Sequence, residues 1–475
     1  MGVPPARFDV ATSRTRWIAI VLGLGVAVAL LVVVRSEGPI RIPELATNRL
    51  HVPELLEPTL DGSTARYDLA LDESVHDYGD GVAVDTLAYN DRSMYGPTLL
   101  WRTGSYVSID VTNDTDAVTT THWHGADVPA SDDGGPHSGI GVGETWTADF
   151  PVIQQAATLW YHPHRDGTTG SSVFRGAVGM VIVEDDSAAS QSLPGRYGVD
   201  DIPVILQNPD RGDDGQLLWE DEQEGPETTV NGTFDPFVDV PEGPVRLRIL
   251  NASQKAIYEL STDRGDITIV ASDGGLLERP VDVRSVTVAP GDRIEVVLDT
   301  RDGVINLVDD DWGAVLELRP DPDLEPAPDL PSELATIDRI DPSTITVDRF
   351  FHMDRVDGRW MINDAQMDMS RIDQIVEFGD VERWILTSDE GAHAFHVHQT
   401  QFQILEINGE PPPEEERGWE DTVFVSENRS VTVVARFDTY TNPVVPYMFH
   451  CHILPHEERG MMGQFQIVGD GPDDA

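Results

Sequence analysis

Cysteine and lysine each occur once in 475 residues, as Cys451 and Lys255. A single cysteine excludes an intramolecular disulfide, so stability does not depend on cross-linking. All other basic residues are arginines: 32 basic residues face 84 acidic ones, and the formal net charge is -52. Such an anionic surface repels nucleic acid, and no nucleic-acid partner is expected; it favours solubility or accumulation of cations. Gly (41) and Pro (33) punctuate the chain. The runs between them are short and rich in Val, Ile and Thr, which reads as mostly β.

One long apolar run lies near the N-terminus. Between Arg16 and Arg35, residues 17–34 (WIAIVLGLGVAVALLVVV) carry no charge. This is long for a cleaved signal, just long enough to cross a bilayer as a helix, and no A-x-A cleavage pattern follows it. Arg7, Arg14 and Arg16 precede it, so residues 1–16 are expected in the cytoplasm and the remainder outside, as a single-pass cell-membrane protein. Cleavage of the segment would leave the chain secreted or periplasmic, and a buried core helix is the plainer alternative.

Residues 35–59 read as a Pro-rich juxtamembrane linker. Three blocks of strand-like segments follow at 60–186, 200–320 and 343–470, separated by DDSAASQSLPGRYGVDD and by the Pro-rich stretch at 319–342. Each block has about the length of a β-sandwich. In the second, VRLRILNAS and DRIEVVLDT alternate with period two, the pattern of half-buried strands.

Histidine is missing from one third of the chain. None of the 14 falls between His164 and His352, so the middle block cannot supply a histidine-based site. Blocks one and three carry four His-x-His pairs: His122/His124, His162/His164, His396/His398 and His450/His452. Roughly 0.4 such pairs would arise by chance, and in a strand residues two apart share a face, so each pair offers two imidazoles side by side. Cys451, between its two histidines, points the opposite way, and so does His393 relative to His396 and His398. The third block therefore holds two ligand sets back to back. One contains His396, His398, His450 and His452. The other contains Cys451 and His393, with His456 and Met461 able to return from the following loop. Two imidazoles, a thiolate and a weak thioether form the blue-copper electron-transfer set. A four-ligand structural zinc site would not need so many histidines, and a Cys–His nucleophile does not explain the pairs.

The motifs HWHG, YHPH, HAFHVH and HCHILPHEERGMM, in this order, resemble those of the three-domain multicopper oxidases, the laccase-like enzymes, over nearly all of residues 60–468. HWHGADVPASDDGGPHSGI and WILTSDEGAHAFHVHQTQFQILEINGEPPPEEERGWEDTV are most similar to the bacterial copper-efflux oxidase and related bacterial laccases. The resemblance implies an all-β chain of three consecutive cupredoxin-like Greek-key β-sandwich domains, preceded here by the transmembrane helix, with a copper-free middle domain. It implies four copper ions: type 1 on His393, Cys451, His456 and Met461, type 2 on His122 and His396, and a type 3 pair on His124, His162, His164, His398, His450 and His452. Electrons taken singly from a reducing substrate would pass along His450–Cys451–His452 to a three-copper cluster that reduces dioxygen to water. Asp133 and Glu457 resemble the family's proton-relay carboxylates, and Asp389 is a candidate hydrogen-bond partner of the His393 imidazole. The sequence departs from the family pattern at Ala394, where proline is usual, and at Gln399, where glycine is common. It also lacks the methionine-rich insert of the copper-efflux enzymes, and Gly391 lacks a methionine side chain. Phenols or aromatic amines are the expected substrates. Cu(I), Fe(II) or Mn(II), drawn by Asp389 and Glu390, are the alternative, and a copper-free envelope scaffold is the reading of another class.

Overall fold

The computed structural model describes residues 46–90, 94–187, 190–219 and 224–472, so the apolar segment at 17–34 lies outside the described residues. Among those described, no helix is long and apolar enough to cross a membrane. The architecture is all-β and multi-sheet, with two short α-helices, Thr169–Phe174 and Leu454–Glu458.

Two sheets are built from the first block. Thr64–His76, Tyr106–Asn113 and Thr145–Pro151 lie in one, and Thr98–Arg102, Gly179–Glu184, Ala157–His162 and His122–His124 in the other. Alternate residues of both meet in one apolar cluster that includes Trp101, Trp123, Phe150 and Tyr161. Burial of a Phe-sized side chain stabilises by about 3 kcal/mol, so these aromatics hold the two sheets together. Trp123 is the inward residue of the HWH strand, and its flanking histidines therefore emerge on the opposite face. In the third block, Ala392–Val397 lies between Thr422–Ser426 and Tyr447–Cys451, which in turn pairs with Met462–Val468. Phe351, Trp384, Phe395, Phe449 and Phe465 fill the cluster beneath, together with Cys451 and Met461.

The structure departs from the sequence reading at two places. The described part of the expected linker, residues 46–59, is more than a linker: Asn48–Arg49 pairs in parallel with Pro236–Val240, and Leu55–Leu56 pairs in parallel with Thr98–Arg102. Strands two residues long carry no readable periodicity. The second departure concerns Pro244–Asn251 and Arg293–Asp299, which pair antiparallel and are buried on both faces rather than half-buried. Their polar phase faces the first block instead of water. There Arg248 donates to Thr158 Oγ1 and to Glu295 Oε1, each at 2.9 Å, and pairs with Asp201. Arg246 also bonds Glu295.

Candidate metal centre

Strand register assembles the centre. His124 lies opposite Trp160 and His122 opposite His162. In the third block His396 lies opposite His450, while Phe395 lies opposite Cys451. One face of this strand pair therefore presents histidines toward the first block, and the other turns Cys451 into its own sandwich.

All eight imidazoles of the His-x-His pairs come together, none more than 2% exposed. Rings from the two blocks stack: His122 on His398 at 3.8 Å and His124 on His396 at 3.7 Å. The Nδ1 atoms of three rings are satisfied on the outside of the cluster. His122 Nδ1 donates to the Asp133 carbonyl at 2.8 Å, His396 Nδ1 to the Asp421 carbonyl at 2.9 Å, and His398 Nδ1 to Asp133 Oδ2 at 2.9 Å. A donor at Nδ1 leaves a lone pair at Nε2. Among the described residues, Nε2 of His122, His162 and His396 is buried with no protein partner, as are both ring nitrogens of His452. Nε2 of His164, His398 and His450 lie 3.1 to 3.4 Å from one another. Orphaned buried nitrogens are costly, and imidazole–metal bonds of about 2.0 Å bring ligand nitrogens to such mutual spacing. The histidines thus fit a cluster of copper ions, for which imidazole is a suitable ligand. Burial, then neighbouring imidazoles, hold the rings of His124, His162 and His452 well below their ordinary pKa, and burial brings His450 to about 3 and His396 to about 4. They stay neutral, as ligation requires.

Backbone glycine makes room for them. Gly291 has φ +91°, and a Cβ there would lie 2.9 Å from the His452 ring. Gly134 has φ +75°, and its Cβ would collide with the Thr121 carbonyl at 1.7 Å, so the turn that carries Asp133 needs glycine.

On the other face, Cys451 Sγ lies 3.5 Å from Nδ1 of both His393 and His456. Burial pushes the thiol up to about 12, so it ionises only in exchange for a bound cation. Met461 is fully buried; its carbonyl accepts the Cys451 N–H at 3.1 Å, and its own N–H donates to the His456 carbonyl at 3.0 Å. His456 is only half-buried, with the Trp360 indole stacked on it at 3.7 Å.

The three carboxylates separate. Asp133 is buried against His122 and His398. Glu457 is buried as well, 3.2 Å from His450 Nδ1 and 3.7 Å from His164 Nδ1, and burial raises its pKa against the pull of His164. Asp389 does not reach His393. Its side chain is 81% exposed and turns toward His352, while His393 Nε2 donates to the Glu390 carbonyl at 3.1 Å. The tight turn before the strand offers a backbone acceptor first.

Two residues that sequence reasoning passed over complete the surroundings. Asp421 Oδ1 accepts from His124 Nε2 at 3.1 Å and from Thr422 Oγ1 at 3.0 Å. Arg293, from the histidine-free middle block, donates to Asp421 Oδ1 at 2.7 Å and to the Thr158 carbonyl at 3.1 Å, and lies 3.4 Å from Asp273. Burial pushes Asp421 up, but the Arg293 guanidinium outweighs it and holds the carboxyl well below the usual range.

Family profiles described as multicopper oxidase match residues 73–188 and 339–470. The multicopper oxidase mco of Staphylococcus aureus is 32% identical over 435 residues, covering 89% of this chain and 93% of that one. The chain belongs to the multicopper oxidase family. The oxidase also matches the crystal structure of a bacterial laccase-like multicopper oxidase, CueO, from Ochrobactrum sp., with TM-score 0.82 and 33% identity over 88% of this chain and 100% of that one. The fold is accordingly cupredoxin-type. The cell division protein FtsP of Proteus mirabilis is 30% identical, over 90% of the oxidase and 94% of FtsP. The histidine clusters of the oxidase are consistent with a thiolate-bound type 1 copper and a trinuclear copper site.

Proposed function

We propose that the oxidase is a laccase-like enzyme of the cell envelope, taking electrons singly from phenols or aromatic amines beside Cys451 and delivering them to dioxygen at the histidine cluster. In this reading the blocks at 60–186, 200–320 and 343–470 are three consecutive cupredoxin domains. Residues 17–34 anchor them on the outer side of the membrane. Of four copper ions, His393, Cys451, His456 and Met461 hold type 1, His122 and His396 type 2, and His124, His162, His164, His398, His450 and His452 the type 3 pair. Copper bound there supplies one-electron exchange at the thiolate and four-electron reduction of dioxygen at the cluster.

One observation carries this reading: Cys451 faces one ligand set while His450 and His452, its neighbours on the strand, face the other. The backbone of three consecutive residues joins the two. The stacked rings contributed by the first and third blocks exclude bulk water from the cluster. Asp133 and Glu457, within reach of outer imidazole nitrogens, are placed to move protons toward reduced oxygen.

The exposed Asp389 and Glu390 beside the His393 strand favour a second reading, oxidation of Cu(I), Fe(II) or Mn(II). A copper-free scaffold, suggested by the relative named for cell division, would not need every ligand position filled. Copper-loaded protein tests all three. An absorption band near about 600 nm, from the thiolate–copper bond, and dioxygen uptake with 2,6-dimethoxyphenol are expected. Uptake with metal ions alone would favour the second reading, and a colourless loaded protein with background uptake would leave the scaffold.

A further inference from the structure

A cavity of about 250 Å³ lies between the middle and third blocks, and Asp273, Asp292, Arg293 and Glu420 are among the residues that line it. With Asp421, four carboxyl groups share the surroundings of one guanidinium. Asp421 has both oxygens on Arg293. Asp273 accepts the backbone N–H groups of Arg293 at 2.7 Å, Thr422 at 3.0 Å and Asp421 at 3.3 Å, and lies 3.4 Å from the Arg293 side chain. These two acids use up the cation.

Asp292 and Glu420 are less well served. Asp292 Oδ2 accepts the Ala289 N–H at 2.8 Å, and Glu420 Oε2 accepts the Asp273 N–H at 3.2 Å. Asp292 Oδ1 is buried with no protein partner among the described residues. The other arginine lining the cavity, Arg429, is paired with Glu416. Burial pushes the carboxyls of Asp292 and Glu420 well above the usual range, and Asp273 adds to the push on both. Buried charge without a counter-charge is costly, so the site calls for a cation that the chain itself does not provide.

The donor set selects the ion. No His, Cys or Met lines the cavity, and its side-chain donors are carboxylate and hydroxyl oxygens. Such oxygens suit a hard cation and not copper. Calcium takes about six to eight oxygens at irregular angles, with water among them, whereas magnesium demands a near-ideal octahedron. A cavity of this size has room for an ion and several waters.

We propose that this cavity is a calcium site, in which one partly hydrated ion lies between Asp292 of the middle block and Glu420 of the third and ties the two blocks together beside the Arg293–Asp421 pair. The site shares no ligand with the histidine cluster or with Cys451, and it is independent of the oxidase reading.

The test uses the full, copper-loaded chain in about 0.5 M KCl, which screens the acidic surface. Protein given about 1 mM calcium chloride and then gel-filtered in calcium-free buffer should retain about one calcium per chain by elemental analysis. Calcium should raise the melting temperature by about 3 °C or more, and magnesium should raise it less. The double substitution Asp292→Asn with Glu420→Gln keeps the shape and removes both charges. Without calcium it should melt at or above the parent, because the repulsion is gone, and calcium should leave its melt unmoved. Asp68→Asn, an exposed change in the first block, should respond to calcium as the parent does. No calcium retained by the parent, a magnesium shift as large as the calcium shift, or a calcium shift that survives in the double variant would overturn the proposal. Should the double variant fail to fold, the calcium content of the parent decides alone. None of these readouts involves turnover, so failure of the oxidase reading would leave them unchanged.

Discussion

The guanidinium of Arg293 donates to both carboxylate oxygens of Asp421, which in turn accepts from His124. The block without histidines thus orients the histidine cluster. Removing the cation leaves Asp421 and Asp273 buried without their common partner, a loss of about 3–5 kcal/mol. Arg293→Met is therefore expected to melt earlier as copper-free protein and to bind less copper per chain. Arg293→Lys should fall between, because an ammonium cannot span both oxygens as a guanidinium does. Thermal denaturation and metal analysis check this; full copper content and an unshifted melt in Arg293→Met would make the contact incidental.

Glu295 gives a pH signature. Burial raises its pKa, but Arg246 and Arg248 outweigh it and bring it from 4.5 to about 2. A depressed carboxylate pKa contributes stability above its unfolded value that is lost as pH falls through the folded one. The shift corresponds to about 3 kcal/mol. The denaturation midpoints of the protein and of Glu295→Gln should differ most above pH 4.5 and converge toward pH 2. A gap independent of pH would point to packing instead of charge.

Gln399 sits at φ +69°, a left-handed conformation that explains why glycine is common there. Its Nε2 donates to Asp127 at 3.1 Å, and Asp127 also accepts from Thr439 at 3.0 Å, so the side chain ties the first block to the third beside His398. Gln399→Ala keeps the strain and loses the bond, and should cost about 1–2 kcal/mol. Gln399→Gly loses the bond but relieves strain of about 1–2 kcal/mol, so its unfolding free energy should stay near that of the parent. Chemical denaturation separates the two; equal stability of the Ala variant and the parent would show that the bond contributes nothing.

Cys451→Ser should separate the two ligand sets. Serine is nearly isosteric but provides no thiolate, so the band near about 600 nm and the oxidation of donors should vanish. The eight histidines face the other way and should still bind copper, visible by electron paramagnetic resonance. Retention of donor oxidation would mean that electrons bypass Cys451.

Much of the centre was legible because a strand has a period of two. His-x-His and the odd position of Cys451 were enough to place two ligand sets on opposite faces, and the register at His396 and His450 follows that parity. The same rule misread Arg246, Arg248, Arg293 and Glu295. Alternation reveals which residues share a face, but not whether that face meets water or another block. Here the polar face meets the first block, and a buried ion network takes the place of solvent. Asp389 failed for a different reason: four residues before a histidine is a spacing, and the turn at Glu390 supplied a nearer acceptor. The strands at Asn48–Arg49 and Leu55–Leu56 were too short for any pattern to register.

The rings that meet in the cluster come from far apart in the chain; His164 and His450 are 286 positions from each other. Closing so long a loop is slow, and no shorter piece contains both halves of the ligand set. During synthesis the first block must therefore wait, with four histidines already made, until His450 and His452 have emerged. The cluster thus forms late, and its metal complement can be completed only after the third block has emerged.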